Sequence, residues 1–260
     1  MSRGHRPRKR FGQHFLADPR VIDDIVAAIG ATADETLVEI GPGQGAITMP
    51  LLDSGATMHA IELDRDLAAM LDRRLANANR FILHQADALE FDLRAIGSDL
   101  RVVGNLPYNI STPLIFHLLD SLDAIRDMHF MLQKEVVERM AAEPGSRRYG
   151  RLTVMLGCRA TVEKLFDVPP EAFSPPPEVW SSVIRILPRR EKAFGIEDPA
   201  ALEAIVKRAF SQRRKTLRNA LRNAVDCELL EAAGIDPSAR AETVPVRNWV
   251  DLANRVADVH

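Results

Sequence analysis

One turn sets most of what this chain can fold into. The segment Val38-Glu39-Ile40-Gly41-Pro42-Gly43-Gln44-Gly45 puts three glycines behind a short apolar run and ahead of a helical stretch, Ala46 to Asp53. Glycine accepts the left-handed backbone of a tight strand-to-helix turn and lets a ligand come close to the chain. Such a turn belongs to an open α/β sheet, whose ligand crevice lies at the carboxyl ends of the strands. The surrounding pattern agrees, because β-type runs alternate with helical stretches from Thr36 to Ile186. Strands are expected at Thr36 to Ile40, Thr57 to Ile61, Phe81 to His84, Leu100 to Val103, Met128 to Leu132, Val162 to Phe166 and Ser182 to Leu187, with a helix at Arg65 to Ala76. The last two strands flank a proline-rich loop, Pro169 to Pro177, and should pair antiparallel with each other. The loop itself is expected to be irregular, since each proline fixes φ and removes a donor.

The glycine spacing then narrows the ligand. A dinucleotide turn reads G-x-G-x-x-G, but here the third glycine comes one residue early and an acid, Glu39, stands two before the first. A pyrophosphate suits this poorly; a cationic ligand end suits it better. Glu62, 21 positions after Gly41, closes the second strand, where an acid accepts from ribose hydroxyls. Asp87 follows the third strand and can accept from an exocyclic amine. Three acids closing three successive strands describe an adenosine-shaped site.

After the fourth strand comes Asn105-Leu106-Pro107-Tyr108. An adenine N6 amine is a poor nucleophile because its lone pair is delocalised into the ring. An Asn side-chain oxygen and a backbone carbonyl beside Pro107 can accept its two N–H bonds and favour a pyramidal nitrogen. Tyr108 offers a face on which a base stacks. Chemistry at that atom cannot occur inside a base stack, so the base must be splayed out. Read alone, the tetrapeptide could equally be a turn with a buried tyrosine.

Taken as a total, charge speaks against a nucleic-acid partner, since 34 Lys and Arg face 36 Asp and Glu, a net −2. The distribution says otherwise. Residues 1–10 carry +5, residues 11–188 carry 16 basic and 25 acidic groups, and residues 189–260 carry 13 and 11. The stretch Lys207, Arg208, Arg213, Arg214, Lys215, Arg218 and Arg222, read as a helix, has no acid within it. Such a run is either a solvated helix face or a phosphate-contacting surface. No run approaches the roughly 18 to 20 apolar residues of a membrane span, which points to a soluble protein. Cys158 and Cys227 lie far apart, and neither they nor the histidines form a metal pattern, which fits a reducing cytoplasm and no metal. Composition changes after Pro188, giving a basic N-terminal arm at 1–12, a sheet domain at 13–188 and a small all-α domain at 198–260, with Asp198 as N-cap and Pro199 in the first turn.

Taken together, the residues resemble the KsgA (RsmA) family of rRNA adenine dimethyltransferases along nearly the whole chain. The resemblance is carried by Gln13-His14-Phe15-Leu16, the glycine turn, Glu62 with Asp64, Asp87-Ala88 and Asn105 to Pro113. It continues through Gln133 to Val136, Tyr149 to Leu152, Phe173-x-Pro175-x-Pro177-x-Val179 and Gln212 to Leu217. It implies a Rossmann-like, S-adenosylmethionine-dependent methyltransferase with a seven-stranded sheet. By the same resemblance the cofactor lies against His14, Leu16, Glu39, Gly41, Gly43, Glu62, Asp87, Ala88 and Asn105. Asn105, Leu106, Pro107 and Tyr108 form the methyl-transfer centre, and Tyr108 and Phe173 sandwich the target base.

The implied reaction transfers four methyl groups in total to two adjacent adenosines in the 3′-terminal hairpin loop of 16S rRNA, within a 30S particle, by a monomer. Phosphate contacts are implied for Arg8, Lys9 and Arg10 in the arm, for Arg147, Arg148 and Arg151, and for the seven cations between Lys207 and Arg222. The sequence departs from the family pattern at His14, where Asn is common, and at Trp180, where many relatives carry a smaller or acidic residue. A related large-subunit rRNA methyltransferase conferring macrolide resistance, a non-catalytic assembly factor and a nicotinamide dehydrogenase are the competing readings. The glycine spacing disfavours the last.

Overall fold

The computed structural model describes residues 14–189 and 194–257. The basic arm, with Arg8, Lys9 and Arg10, lies outside the described residues. Two compact units are formed, one from Met1–Val137 with Glu163–Pro188, the other from Glu138–Val162 with Arg189–His260.

The first unit begins with β1 (Phe15–Leu16) and α1 (Pro19–Ile29). The Asp18 carboxylate accepts from the Arg20 backbone N–H at 2.9 Å and caps α1, Pro19 occupies its first turn, and Gly30 at φ 57° ends it. The main sheet contains β2 (Thr36–Ile40), β3 (Thr57–Ile61), β4 (Phe81–His84), β5 (Leu100–Asn105), β6 (Ile125–Gln133), β7 (Ala160–Val168) and β9 (Ser181–Pro188), in the order β4-β3-β2-β5-β6-β9-β7. These are the seven expected strands. β2, β3 and β4 have the expected bounds, and the other four run longer than expected because their ends continue the ladder. Strands β4 to β6 are mutually parallel across that order and β9 runs antiparallel to β6, with β7 its outer neighbour. Strand order reverses between β2 and β5, so the crevice of an open α/β sheet opens at their carboxyl ends. Helices α2 (Thr48–Asp53), α3 (Arg65–Arg74) and α4 (Ser111–Leu119) follow β2, β3 and β5.

The proline-rich loop departs from expectation. It holds a 3-10 turn at Pro170–Ala172 and a two-residue strand, β8 (Phe173–Ser174), which pairs antiparallel with β1. Phe173 and Ser174 keep their backbone donors between the prolines, so they can complete a ladder where their neighbours cannot.

Within the second unit lie α6 (Arg151–Gly157), α7 (Pro199–Ser211), α8 (Leu217–Ala220), α9 (Cys227–Ala232) and α10 (Val246–Ala257), while α5 (Lys134–Met140) leads into it. Asp198 caps α7 by accepting from Ala200 and Ala201 at 2.9 and 3.0 Å. Residues 138–162, which the sequence reading assigns to the sheet domain, belong to this unit for a packing reason. Tyr149 is fully buried, donates to the Val244 carbonyl at 2.7 Å and meets Phe210, which meets the equally buried Trp249. The stretch from Lys207 to Arg222 is not one helix. α7 stops at Ser211, and α8 starts only after Thr216 bridges to Arg240 and the Leu217 N–H reaches the Ala239 carbonyl at 2.8 Å. Those non-helical partners pull the intervening backbone out of helical geometry.

Candidate functional site

A cavity of about 370 Å³ opens at the carboxyl ends of β2 to β5, within the range of small-molecule sites. The glycine turn forms its floor. Gly41, Gly43 and Gly45 all have positive φ, at 67°, 57° and 82°. A Cβ on Gly43 would stand 3.2 Å from the Phe15 ring, so the turn and β1 close on each other only because no side chain intervenes. Gly104, on β5, is more constrained still: a Cβ there would lie 2.6 Å from the Ile40 carbonyl oxygen of β2. Sequence reasoning missed Gly104, since its constraint comes from a carbonyl on another strand.

Four carboxylate residues line the cavity, Glu39, Glu62, Asp64 and Asp87. Glu39, on β2, is 1% exposed and accepts from the Thr48 hydroxyl at 2.6 Å. Burial pushes its carboxyl up to about 8; the Thr48 bond works against this rise and the Glu62 charge adds to it. Glu62, directly after β3, accepts from the Gly43 N–H at 3.2 Å and the Asp64 N–H at 2.8 Å, which ties the glycine turn to the next strand. Burial raises its carboxyl too, against the pull of those backbone donors. Asp87, beyond β4, accepts from the Leu89 N–H at 2.9 Å, and Ala88 lines the cavity beside it. Leu63, an exposed apolar side chain, also lines the cavity.

The opposite wall is Asn105-Leu106-Pro107-Tyr108. Asn105 ends β5, and its amide nitrogen donates to the His14 carbonyl at 3.1 Å, which leaves the amide oxygen for another partner. The Tyr108 hydroxyl is hydrogen-bonded to the Ser181 hydroxyl at 2.7 Å, and burial raises its pKa. His14 donates from Nδ1 to the Pro175 carbonyl at 2.8 Å and stacks its ring over Tyr108, with centroids 5.7 Å apart. His14, in the slot where Asn is common, therefore joins three parts of the wall. His129, from β6, also lines the cavity; burial holds its imidazole down at about 4.

Of the residues singled out in the sequence, His14, Leu16, Glu39, Gly41, Gly43, Glu62, Asp87, Ala88, Asn105, Leu106, Pro107 and Tyr108 all line this one cavity. Phe173 does not. It pairs with Leu16 across β1 and β8, is 4% exposed, and packs among Ile25, Ala172 and Val183 in the core. The ring stacked on Tyr108 is that of His14.

The cations expected to meet phosphate fall into two groups within the second unit. Arg148 pairs with Glu138 at 2.9 Å, and Arg151 with Glu203 at 2.7 Å. Arg213 pairs with Glu242 at 2.5 Å and donates to the Arg147 carbonyl, while Arg208 donates to the Ala220 and Arg222 carbonyls. Lys207, Arg214, Lys215, Arg218 and Arg222 are exposed, as is Arg147. Among the described residues no group of three or more His, Cys, Asp or Glu is arranged to hold a metal, and no helix is long and apolar enough to cross a membrane.

The chain is similar to several known proteins. Residues 4–258 match the family model described as ribosomal RNA adenine dimethylase. The chain is 54% identical over 257 residues to the ribosomal RNA small subunit methyltransferase A of Pseudomonas putida, covering 98% of this chain and 96% of that protein. It is 54% identical over 258 residues to the protein of that name in Methylococcus capsulatus, covering 97% and 98%. Among solved structures, a dimethyladenosine transferase from Plasmodium falciparum shares the fold with a TM-score of 0.82 at 24% identity, over 94% of this chain and 98% of that one. The 23S rRNA methyltransferase ErmE gives 0.72 at 25% identity, over 94% and 99%.

Proposed function

The chain belongs to the ribosomal RNA adenine dimethylase family, and from that premise we propose that it dimethylates two adjacent adenosines in the 3′-terminal hairpin loop of 16S rRNA, as a cytoplasmic monomer acting on the 30S particle. The broader activity, S-adenosylmethionine-dependent dimethylation of rRNA adenine, follows from the family.

The cavity suits that cofactor on its own chemistry. It offers acceptors at three strand ends for an amine and hydroxyls, a buried carboxylate for a cationic end, an apolar side chain at Leu63 and a side-chain-free floor at Gly41 and Gly43. His14, Leu16, Glu39, Gly41, Gly43, Glu62, Asp87, Ala88 and Asn105 would hold it. When bound, S-adenosylmethionine supplies an electrophilic methyl group on a positively charged sulfur.

The chain's own part is binding and alignment. Glu62 accepts from the ribose hydroxyls, Asp87 accepts from the cofactor's adenine amine, and Glu39 faces the cationic end. The observation that carries the reading is the fixed Asn105 amide. Its nitrogen is committed to the His14 carbonyl, so its oxygen is the atom turned to accept an N–H of the target amine. With that amine's protons held by acceptors, its lone pair is directed at the electrophile; the nitrogen becomes positively charged as it gains the methyl group and then releases one proton to water, so Asn105 positions the amine and removes no proton. Tyr108, steadied by Ser181 and His14, gives the base a stacking face. Because Phe173 packs inward, stacking is assigned to Tyr108 alone. Alignment of this kind can account for roughly 7 to 11 kcal/mol of the barrier. Exposed cations of the second unit contact phosphates, which positions the RNA without reading its sequence.

Tritiated methyl transfer tests the substrate. Unmethylated 30S particles should accept label while protein-free large-subunit rRNA does not; the reverse would establish the large-subunit activity. Transfer to neither, with cofactor bound, would establish a non-catalytic assembly factor.

A further inference from the structure

Trp180 is one of the few large apolar side chains left in water, 50% exposed beside Val179 at 44%. Its surroundings are built and not loose. The Lys134 N–H donates to the Trp180 carbonyl at 2.9 Å, which anchors this backbone to the end of β6. The Lys134 ammonium lies 5.8 Å from the centre of the indole ring and is held there by Asp167 at 2.8 Å. Asp167 is itself fixed by Lys164 at 2.8 Å and Ser182 at 2.5 Å. An exposed indole beside two lysines that share one carboxylate, and so keep a net positive charge, combines the two contacts a single-stranded nucleotide needs, a stacking face for the base and a positive charge for its phosphate.

Its place on the sheet gives this pairing a role. Ser181, the next residue, binds the Tyr108 hydroxyl at 2.7 Å, so Trp180 stands one residue outside the site assigned to the target adenine. Drawing one base out of a strand unstacks its neighbour, which then gains from a new partner. We propose that Trp180 and Lys134 form a second stacking platform, outside the cavity, that receives the nucleotide next to the target adenosine and thereby sets substrate affinity. This rests on the rRNA adenine reading above.

The test uses the full chain with unmethylated 30S particles. Base stacking on an aromatic side chain predicts that Trp180→Ala raises KM for the particles about 5- to 100-fold. Its kcat and its cofactor affinity by calorimetry should stay near wild type, and Trp180→Phe should restore most of the KM. With p-benzoylphenylalanine at position 180, irradiation should join the enzyme to rRNA at a nucleotide adjacent to a methylated adenosine. A KM within two-fold of wild type for Trp180→Ala overturns the proposal. So does a photoproduct with a ribosomal protein, which would mark the patch as a protein contact, or no photoproduct at all. If wild type methylates no 30S particle, the parent reading fails instead, so the two failures are told apart.

Discussion

At the scale of single residues, the site works through groups whose ordinary chemistry the fold has altered. Glu39 is the clearest case. With its carboxyl at about 8 when folded and near 4.5 when unfolded, it holds a proton in the folded, ligand-free protein at pH 7 that the unfolded chain has released. Its contribution to stability is therefore fully present below about pH 4.5 and is lost as pH rises through about 8. Glu39→Gln should flatten that dependence and raise the melting temperature at pH 8, while weakening S-adenosylmethionine binding about ten-fold, because a neutral amide does not answer a cation. Thermal melts from pH 5 to 8 and calorimetry at each pH check both effects; an unchanged pH profile would remove Glu39 from the account. Asn105→Ala makes the complementary prediction. Loss of one positioned polar group should lower single-turnover methyl transfer roughly 100- to 1000-fold, with cofactor affinity falling far less, and near-normal turnover would exclude the positioning role. Both residues could be picked from the sequence because each sits beside a turn whose geometry is local. What the sequence could not show was the His14 carbonyl to which the Asn105 amide nitrogen donates.

At the scale of elements, the legible parts were those whose pattern is short-range. β2, β3 and β4 stand at their expected bounds, and the apolar runs of β2 and β3 are closed at once by Gly41 and Glu62. α1 carries an Asp-Pro start and a Gly stop, signals that would have revealed it. The β1–β8 ladder was illegible, since it joins Phe15 to Ser174, and it is what turns Phe173 inward. Equally hidden was a buried ion-pair network at the opposite strand ends. Arg101, 6% exposed, donates to Asp127 and Glu35 at 2.9 Å and to the Ile29 carbonyl at 2.7 Å, partners scattered along the chain. The carboxylates hold the guanidinium charged in spite of burial, and it in turn lowers the pKa of Asp127 and Glu35. The Gly104 contact is the element-scale constraint with the most direct consequence. Gly104→Ala must push β5 away from the Ile40 carbonyl at the point where the cavity forms. Overpacking of this kind costs about 1 to 3 kcal/mol, visible in urea denaturation, and cofactor affinity should fall at least ten-fold in the protein that remains folded. Unchanged affinity would show that β2 and β5 can part without disturbing the cradle.

At the scale of the whole molecule, a net charge of −2 is the sum of unlike parts, and the structure divides them further. Cations in the second unit that look alike in sequence have different uses. Arg213 and Arg208 are committed to Glu242 and to backbone carbonyls, and Arg148 and Arg151 to Glu138 and Glu203. Lys207, Arg214, Lys215, Arg218 and Arg222 stay exposed and carry charge toward solvent. Sequence alone could not sort them, because their partners lie on other elements. The division predicts two kinds of variant. Replacing Lys215 or Arg218 by Ala should leave the melting temperature unchanged, weaken binding to 30S particles and reduce the slope of log affinity against log salt by about 0.7 to 0.9 for each phosphate no longer neutralised. Arg213→Ala should lower the melting temperature, since it leaves Glu242 and the Arg147 carbonyl without their donor, and should change the salt slope by less. Binding titrations between 50 and 200 mM salt, paired with thermal melts, separate the two. If Arg213→Ala changes the slope as much as Lys215→Ala does while melting normally, its bonds within the unit are not what the charge is for.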